Sequence, residues 1–189
     1  AAFNSGKGLA MVKIKPEIGL VLIVTAGVLL LSAVSFWNAR GKLRGVEAAV
    51  DRQGALLDTA FAGQRVRGEA LRKAVAAKLD AADSVHAALE AASVASAAAT
   101  GMAGRAAAYT RWRDAVTACL ATAEARPDLQ LEVAAGKDFV AADLELQKLA
   151  DAYNRAAKTY NNQIRKNPET RMAEGLKLKP REFFGAAPQ

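Results

Sequence analysis

A chain of 189 residues with one cysteine, 26 lysines and arginines against 19 aspartates and glutamates, and a formal charge of +7 is long enough to bury a core of its own. It excludes an internal disulfide and a cysteine metal cluster, while its cationic excess favours anionic partners, nucleic acid or acidic lipid, without choosing between them. Alanine dominates, and glycine and proline cluster at a few places instead of recurring at turn spacing, so the profile is helical, with no alternating β-branched and aromatic run to build a sheet.

Residues 1–17 form an N-terminal tail without a pattern of its own, in which Gly6-Lys7-Gly8 is too short for a phosphate loop; sequence alone does not say whether residues 1–10 are native. From Ile18 to Ala39, 22 residues carry no charge. About twenty apolar residues at about 1.5 Å each cross a hydrocarbon layer of about 30 Å, and Trp37 falls where an interfacial belt would lie. The segment 18–39 therefore reads as a transmembrane helix. A buried core helix and a signal peptide are the competing readings; the length of the uncharged run speaks against both. Lys7, Lys13 and Lys15 on one side balance Arg40, Lys42 and Arg44 on the other, so charge asymmetry leaves the orientation open.

Beyond the span, apolar spacing at three and four predicts a helical region over 40–168, with helices near 40–62, 65–95, 103–125 and 138–166 and breaks at 61–64, 96–104 and 126–130. Leu43, Val46, Val50, Leu57 and Phe61 line the first; Leu71, Val75, Leu79, Ala82, Val85 and Leu89 the second; Tyr109, Trp112, Val116, Leu120 and Ala123 the third. The fourth has the most regular seam, Phe139, Ala142, Leu146, Leu149, Tyr153, Ala156, Tyr160 and Ile164, with Asp138 as its expected N-cap and Pro168 as its stop. Together these predict an all-α protein: a transmembrane helix followed by an elongated antiparallel, up-down four-helix bundle.

The fourth helix repeats a Tyr-Asn pair, Tyr153-Asn154 and Tyr160-Asn161, seven residues apart. One heptad puts both tyrosines on the buried edge, so the repeat reads first as a packing device and second as a polar ladder for a ligand or partner helix. The chain then closes with a basic and aromatic tail, 169–189. In an up-down bundle its start lies beside the bilayer, so Trp37, Arg40, Lys42, Arg44, Arg165, Lys166, Lys177, Lys179, Arg181, Phe183 and Phe184 are candidate membrane contacts: cations on anionic lipid, phenylalanines shallowly inserted. The competing reading packs the tail on its own bundle through Leu176, Leu178 and the phenylalanines.

Glu124, Ala125, Pro127, Asp128 and Leu129, followed by Tyr153, Asn154, Tyr160, Asn161, Pro168, Phe183 and Phe184, resemble the LemA family of bacterial membrane-anchored helical proteins. The likeness covers about 124 to 184. Arg126 stands where that family has an aromatic, and no tryptophan follows in the first bundle helix, so the resemblance is to a divergent member. It implies a single-pass bacterial membrane protein with a helical bundle, and brings no catalytic residue.

No residue set supports an enzyme. His86 is the only histidine and sits among alanines, without a second ligand for a transition metal; Ser84, Ser93 and Ser96 lack a nucleophile elbow. No catalytic, cofactor or metal site is expected. Helix-two cations alternate with acids, which argues against nucleic acid. The expected function is a membrane-anchored scaffold that self-associates or recruits membrane-protein partners, with small residues Gly19, Ala26, Gly27 and Ala33 in the span and an alanine-rich face at 91–99 permitting close packing. The runner-up is a lipid-organising or membrane-shaping protein acting through the basic and aromatic C-terminus. A pilin-like subunit fails on the missing processing glycine, position 12 being valine, and on the missing strands.

Overall fold

The computed structural model describes residues 16–80, 83–125, 130–166 and 169–185, and among these every regular element is an α-helix. In chain order they are α1 (Pro16–Ala76), α2 (Ser84–Ala98), α3 (Gly101–Glu124), α4 (Gln130–Gln163) and α5 (Glu169–Gly175). The N-terminal tail through residue 15, and with it Lys7, Lys13 and Lys15, lies outside the described residues, as do Pro127, Asp128 and Pro168.

The 61 residues of α1 make one helix, about 90 Å long at 1.5 Å per residue. From Leu20 to Asn38 it is uncharged, mostly apolar and outward-facing: it contains an 18-residue window of mean hydropathy 2.4, none of it buried. It is thus long and apolar enough to cross a membrane. From Ala39 onward the same helix acquires a buried stripe, Ala39, Leu43, Val50, Leu57, Phe61, Leu71 and Val75, at the spacing that keeps one face on a neighbour.

That continuity corrects the expected break at 61–64. Gly63 is simply a helical residue, and Gln64 beside it is buried, its Nε2 donating to the Phe139 carbonyl at 3.1 Å. The turn comes instead after Ala76, where the expected 65–95 helix is interrupted. Asp83 caps α2, its Oδ1 accepting from the Val85 amide at 2.9 Å. The apolar series 71, 75, 79, 85, 89 survives this reversal because both arms of the hairpin face one core; an apolar stripe alone cannot register a change of direction.

The second correction concerns α4, which begins at Gln130, so Asp138 is an exposed residue within it and not its N-cap. Gly136 lies inside the helix for a steric reason: a Cβ there would stand 2.6 Å from Leu120 Cδ2. Any larger residue there would have to push the Leu120 side chain of α3 aside.

Cross-chain contacts fix the directions. Gly54 lies on Tyr153 and Gln64 on Phe139, so α4 runs antiparallel to α1. Arg72 meets Glu90 at 2.7 Å and Ser93 donates to Glu69, so α2 also returns along α1. Asp58 pairs with Arg105 while Gly68 packs on Trp112, so α3 runs with α1. The buried residues fall into two clusters. One holds α1 from Ala39 to Phe61, the start of α3 from Ala106 to Tyr109, α4 from Leu146 onward, α5 and the tail; the other joins the end of α1, α2, α3 from Trp112 to Ala123, and Phe139 of α4.

Candidate functional site

The Tyr-Asn repeat of α4 faces the groove in which the C-terminal tail lies. Asn161 and Asn154 are both buried, two helical turns apart, about 10.5 Å along the axis. In the tail, Arg181 and Phe184 are three residues apart, about 10 Å in an extended chain. The two periods coincide, so each asparagine meets one tail residue. The Asn161 Oδ1 accepts from the Arg181 amide at 2.7 Å and its Nδ2 donates to the Arg181 carbonyl at 2.9 Å. The Asn154 Oδ1 accepts from the Phe184 amide at 2.8 Å and its Nδ2 donates to the Phe184 carbonyl at 3.0 Å. With one donor and one acceptor opposite, each amide group has a single orientation that satisfies both.

The tyrosines complete the ladder. Tyr153 donates its hydroxyl to the Glu182 carbonyl at 2.8 Å, and Tyr160 offers its ring face to the Arg181 guanidinium, 5.7 Å from the centroid. Burial pushes both phenols above their ordinary pKa. Arg181 also reaches across to α1, with Nη2 2.8 Å from Asp51 Oδ1 and 3.9 Å from Glu47 Oε1. Phe184 is 7% exposed and packs its ring 6.1 Å from Tyr109.

This overturns part of the expected membrane contact. Phe184 is a core residue, Phe183 is half-buried against the same cluster, and Arg181, also half-buried, is turned toward Asp51. The tail runs antiparallel to α4, away from the apolar end of α1, because two buried asparagines offer its backbone partners that hydrocarbon lacks. Tyr153, Asn154, Tyr160 and Asn161 are buried packing residues as well as a polar ladder, and the ladder holds the chain's own tail where a ligand or partner helix was the expected occupant.

What stays outward near the apolar segment is different. Trp37 is 74% exposed, Arg40 is half-buried, and Lys42, Arg44, Arg165, Lys166, Arg171, Lys177 and Lys179 are exposed. Helix α5 is pinned there by a buried acid: Glu169 accepts from Gln163 Nε2 at 3.0 Å and faces Lys42 Nζ at 3.8 Å. The helix ends in a Schellman turn, with Leu178 N–H on the Ala173 carbonyl at 2.9 Å and Lys177 N–H on the Glu174 carbonyl at 3.1 Å. Lys177 takes the left-handed position, φ 55°, which ordinarily goes to glycine. Sequence reasoning missed α5 and this turn; Leu178 following a basic, glycine-containing stretch was their only signal.

No group of three or more histidine, cysteine, aspartate or glutamate side chains suited to a metal occurs among the described residues. His86 Nδ1 lies 3.2 Å from the Asp80 carbonyl, tying α2 to the end of α1. No family model and no curated protein matches the chain, so the likeness to LemA proteins rests on the residues quoted for it.

Proposed function

We propose that the protein is a non-enzymatic, membrane-anchored scaffold, a single-pass bacterial membrane protein of LemA type whose up-down four-helix bundle self-associates or recruits partners at the membrane. The observation that carries this is the unbroken α1. Its outward-facing apolar stretch and the buried stripe from Ala39 to Val75 belong to one helix, so anchor and bundle form a single rod with no hinge at Arg40–Arg44. A rod so attached transmits position, which is what a scaffold supplies. Support also comes from the quoted motif residues, since the Tyr-Asn pairs and the closing phenylalanines, far apart in sequence, are partners in space.

The alanine-rich face of α2 offers a surface for copies or partners. A shallow groove of about 860 Å³ lies there between His86, Glu90, Val94, Ala98 and Arg111; Val94 is 62% exposed. Mass measurement of the full-length protein in mild detergent tests the self-association: a multiple of the chain mass is expected, and a strict monomer at all concentrations refutes it. Carbonate extraction tests the anchor, with retention in the membrane fraction expected.

The lipid-organising alternative keeps one specific observation in its favour, the exposed cations Arg44, Arg165, Lys166, Lys177 and Lys179. Of its aromatic arm, Phe184 is inside and Phe183 is half-buried. Deformation of anionic vesicles by the full-length protein, undiminished by a Phe184 substitution, is its expected signature.

A further inference from the structure

Where α5 crosses α1, a groove of about 530 Å³ opens between the two helices. Its floor is α1 from Val28 to Ala39, with Leu31 and Phe36 as apolar walls and Ser32 and Ser35 as hydroxyls; Arg171 and Met172 of α5 form its upper rim. Met172 is buried and Arg171 is exposed. The groove thus has a cationic end, a polar middle and an apolar remainder.

Its length and level identify its occupant. From Ala39 to Val28 the floor descends eleven residues, about 16 Å, close to half of a hydrocarbon layer of about 30 Å. The uncharged segment 18–39 has its midpoint at Val28 and Leu29. The groove therefore starts at the interface, at the bundle end of the span, and stops at the middle of the bilayer: the depth of one leaflet. Only a molecule with an anionic head and a long apolar chain matches all three parts.

We propose that this groove is a binding site for one anionic phospholipid of the leaflet next to the bundle, its phosphate at Arg171, its ester region at Ser32 and Ser35, and one acyl chain along Leu31 and Val28. The site rests on the anchoring of α1 proposed above. It differs from diffuse attraction of lipid to Lys42, Arg44, Arg165 and Lys166, since it needs the wall that α5 supplies. Glu169 locks that wall in place, and its charge faces Lys42, leaving Arg171 as the cation over the groove.

The test uses full-length protein reconstituted with equal phosphatidylglycerol and phosphatidylcholine, then released gently for native mass spectrometry of retained lipid. Wild type is expected to keep one phosphatidylglycerol about fivefold more often than one phosphatidylcholine, the preference that one juxtamembrane cation supplies. Arg171→Glu, which replaces attraction by repulsion, brings that ratio below one, and Ser35→Trp, which fills the groove, removes retention of either lipid. Arg155→Glu, exposed on α4, leaves the ratio unchanged and controls for net charge. Millimolar inorganic phosphate does not displace the lipid. A wild-type ratio near one, a ratio indifferent to both groove variants, or displacement by phosphate overturns the site. Protein that washes off vesicles in carbonate instead refutes the anchor itself, a separate result.

Discussion

The two ends of the helical region are held together by different physics. In the half next to the apolar segment, a ladder of directed hydrogen bonds joins α4 to the tail, and Arg181 bridges to Asp51 on α1. In the far half, beside the side-chain bonds of Ser93 to Glu69 and Arg72 to Glu90, the helices meet by close steric fit: a Cβ on Gly68 would stand 2.8 Å from the Trp112 ring, and one on Gly136 2.6 Å from Leu120. Hydrogen bonds specify which segment is accepted and in which register, since a buried unpaired amide is costly. Shape specifies how near two helices come and tolerates no added volume. The near half is therefore selective about its partner segment, the far half about its spacing.

The largest expected effect breaks the far half. Trp112→Ala removes a residue 1% exposed and is expected to cost about 3–5 kcal/mol, read by denaturant unfolding, while amide exchange of Phe184 changes little if the halves are separable. Next, Asn154→Ala leaves the buried Phe184 amide and carbonyl without partners, a loss of about 2–4 kcal/mol. Exchange protection at 181–184 should collapse and the tail become open to protease, with α2 and α3 unaffected. Uniform destabilisation of both ends would erase the distinction.

Two glycines sharpen it. Gly68→Ala forces the Trp112 ring aside and is expected to destabilise by about 1–3 kcal/mol. Gly63→Ala, whose Cβ would meet only the mobile end of Arg67 at 3.2 Å, should stabilise by about 0.5–1 kcal/mol through helix propensity. At the near end, Lys177→Gly relieves a left-handed lysine and should add about 1 kcal/mol, seen as a higher unfolding midpoint.

The smallest effect is electrostatic and belongs to the far half. Burial pushes the Glu69 carboxyl up, but hydrogen bonds from Ser93 and Arg72 and the charges of Arg72 and Lys73 outweigh it and hold the pKa below its ordinary value. A depressed carboxyl contributes stability that is present above its unfolded pKa and lost as pH falls through the folded one. Stability should therefore decline on acidification below the usual carboxylate range, by less than about 1 kcal/mol for this half-exposed group. Glu69→Gln should flatten that limb of the pH titration.

Much of this was legible from residue order alone. The uncharged block, the helical class and the α4 seam follow from local spacing, because burial of one face demands an apolar residue every three or four positions whatever the neighbour is. The seam residues Phe139, Leu146, Tyr153, Tyr160 and Ile164 are indeed buried. Spacing failed where two structures share one pattern: a straight helix and a hairpin both satisfy Leu71, Val75, Leu79, Val85 and Leu89. It failed again at Gly63 and Gly136, since a glycine that breaks a helix looks the same in sequence as one that merely sits in it, like Gly63, or one that admits a neighbour, like Gly136.

The sequence by itself determined that this protein is helical, with one apolar stretch of membrane length and a heptad of Tyr-Asn pairs on a buried edge. Only the tertiary structure decided what those asparagines hold. The match of about 10.5 Å along α4 to about 10 Å along the extended tail exists only once both segments are placed, because the partner lies twenty to thirty residues away and backbone amides carry no sequence signature. The same holds for Phe184, whose hydrophobicity suits a bilayer and a core equally; the bonds to its backbone chose the core.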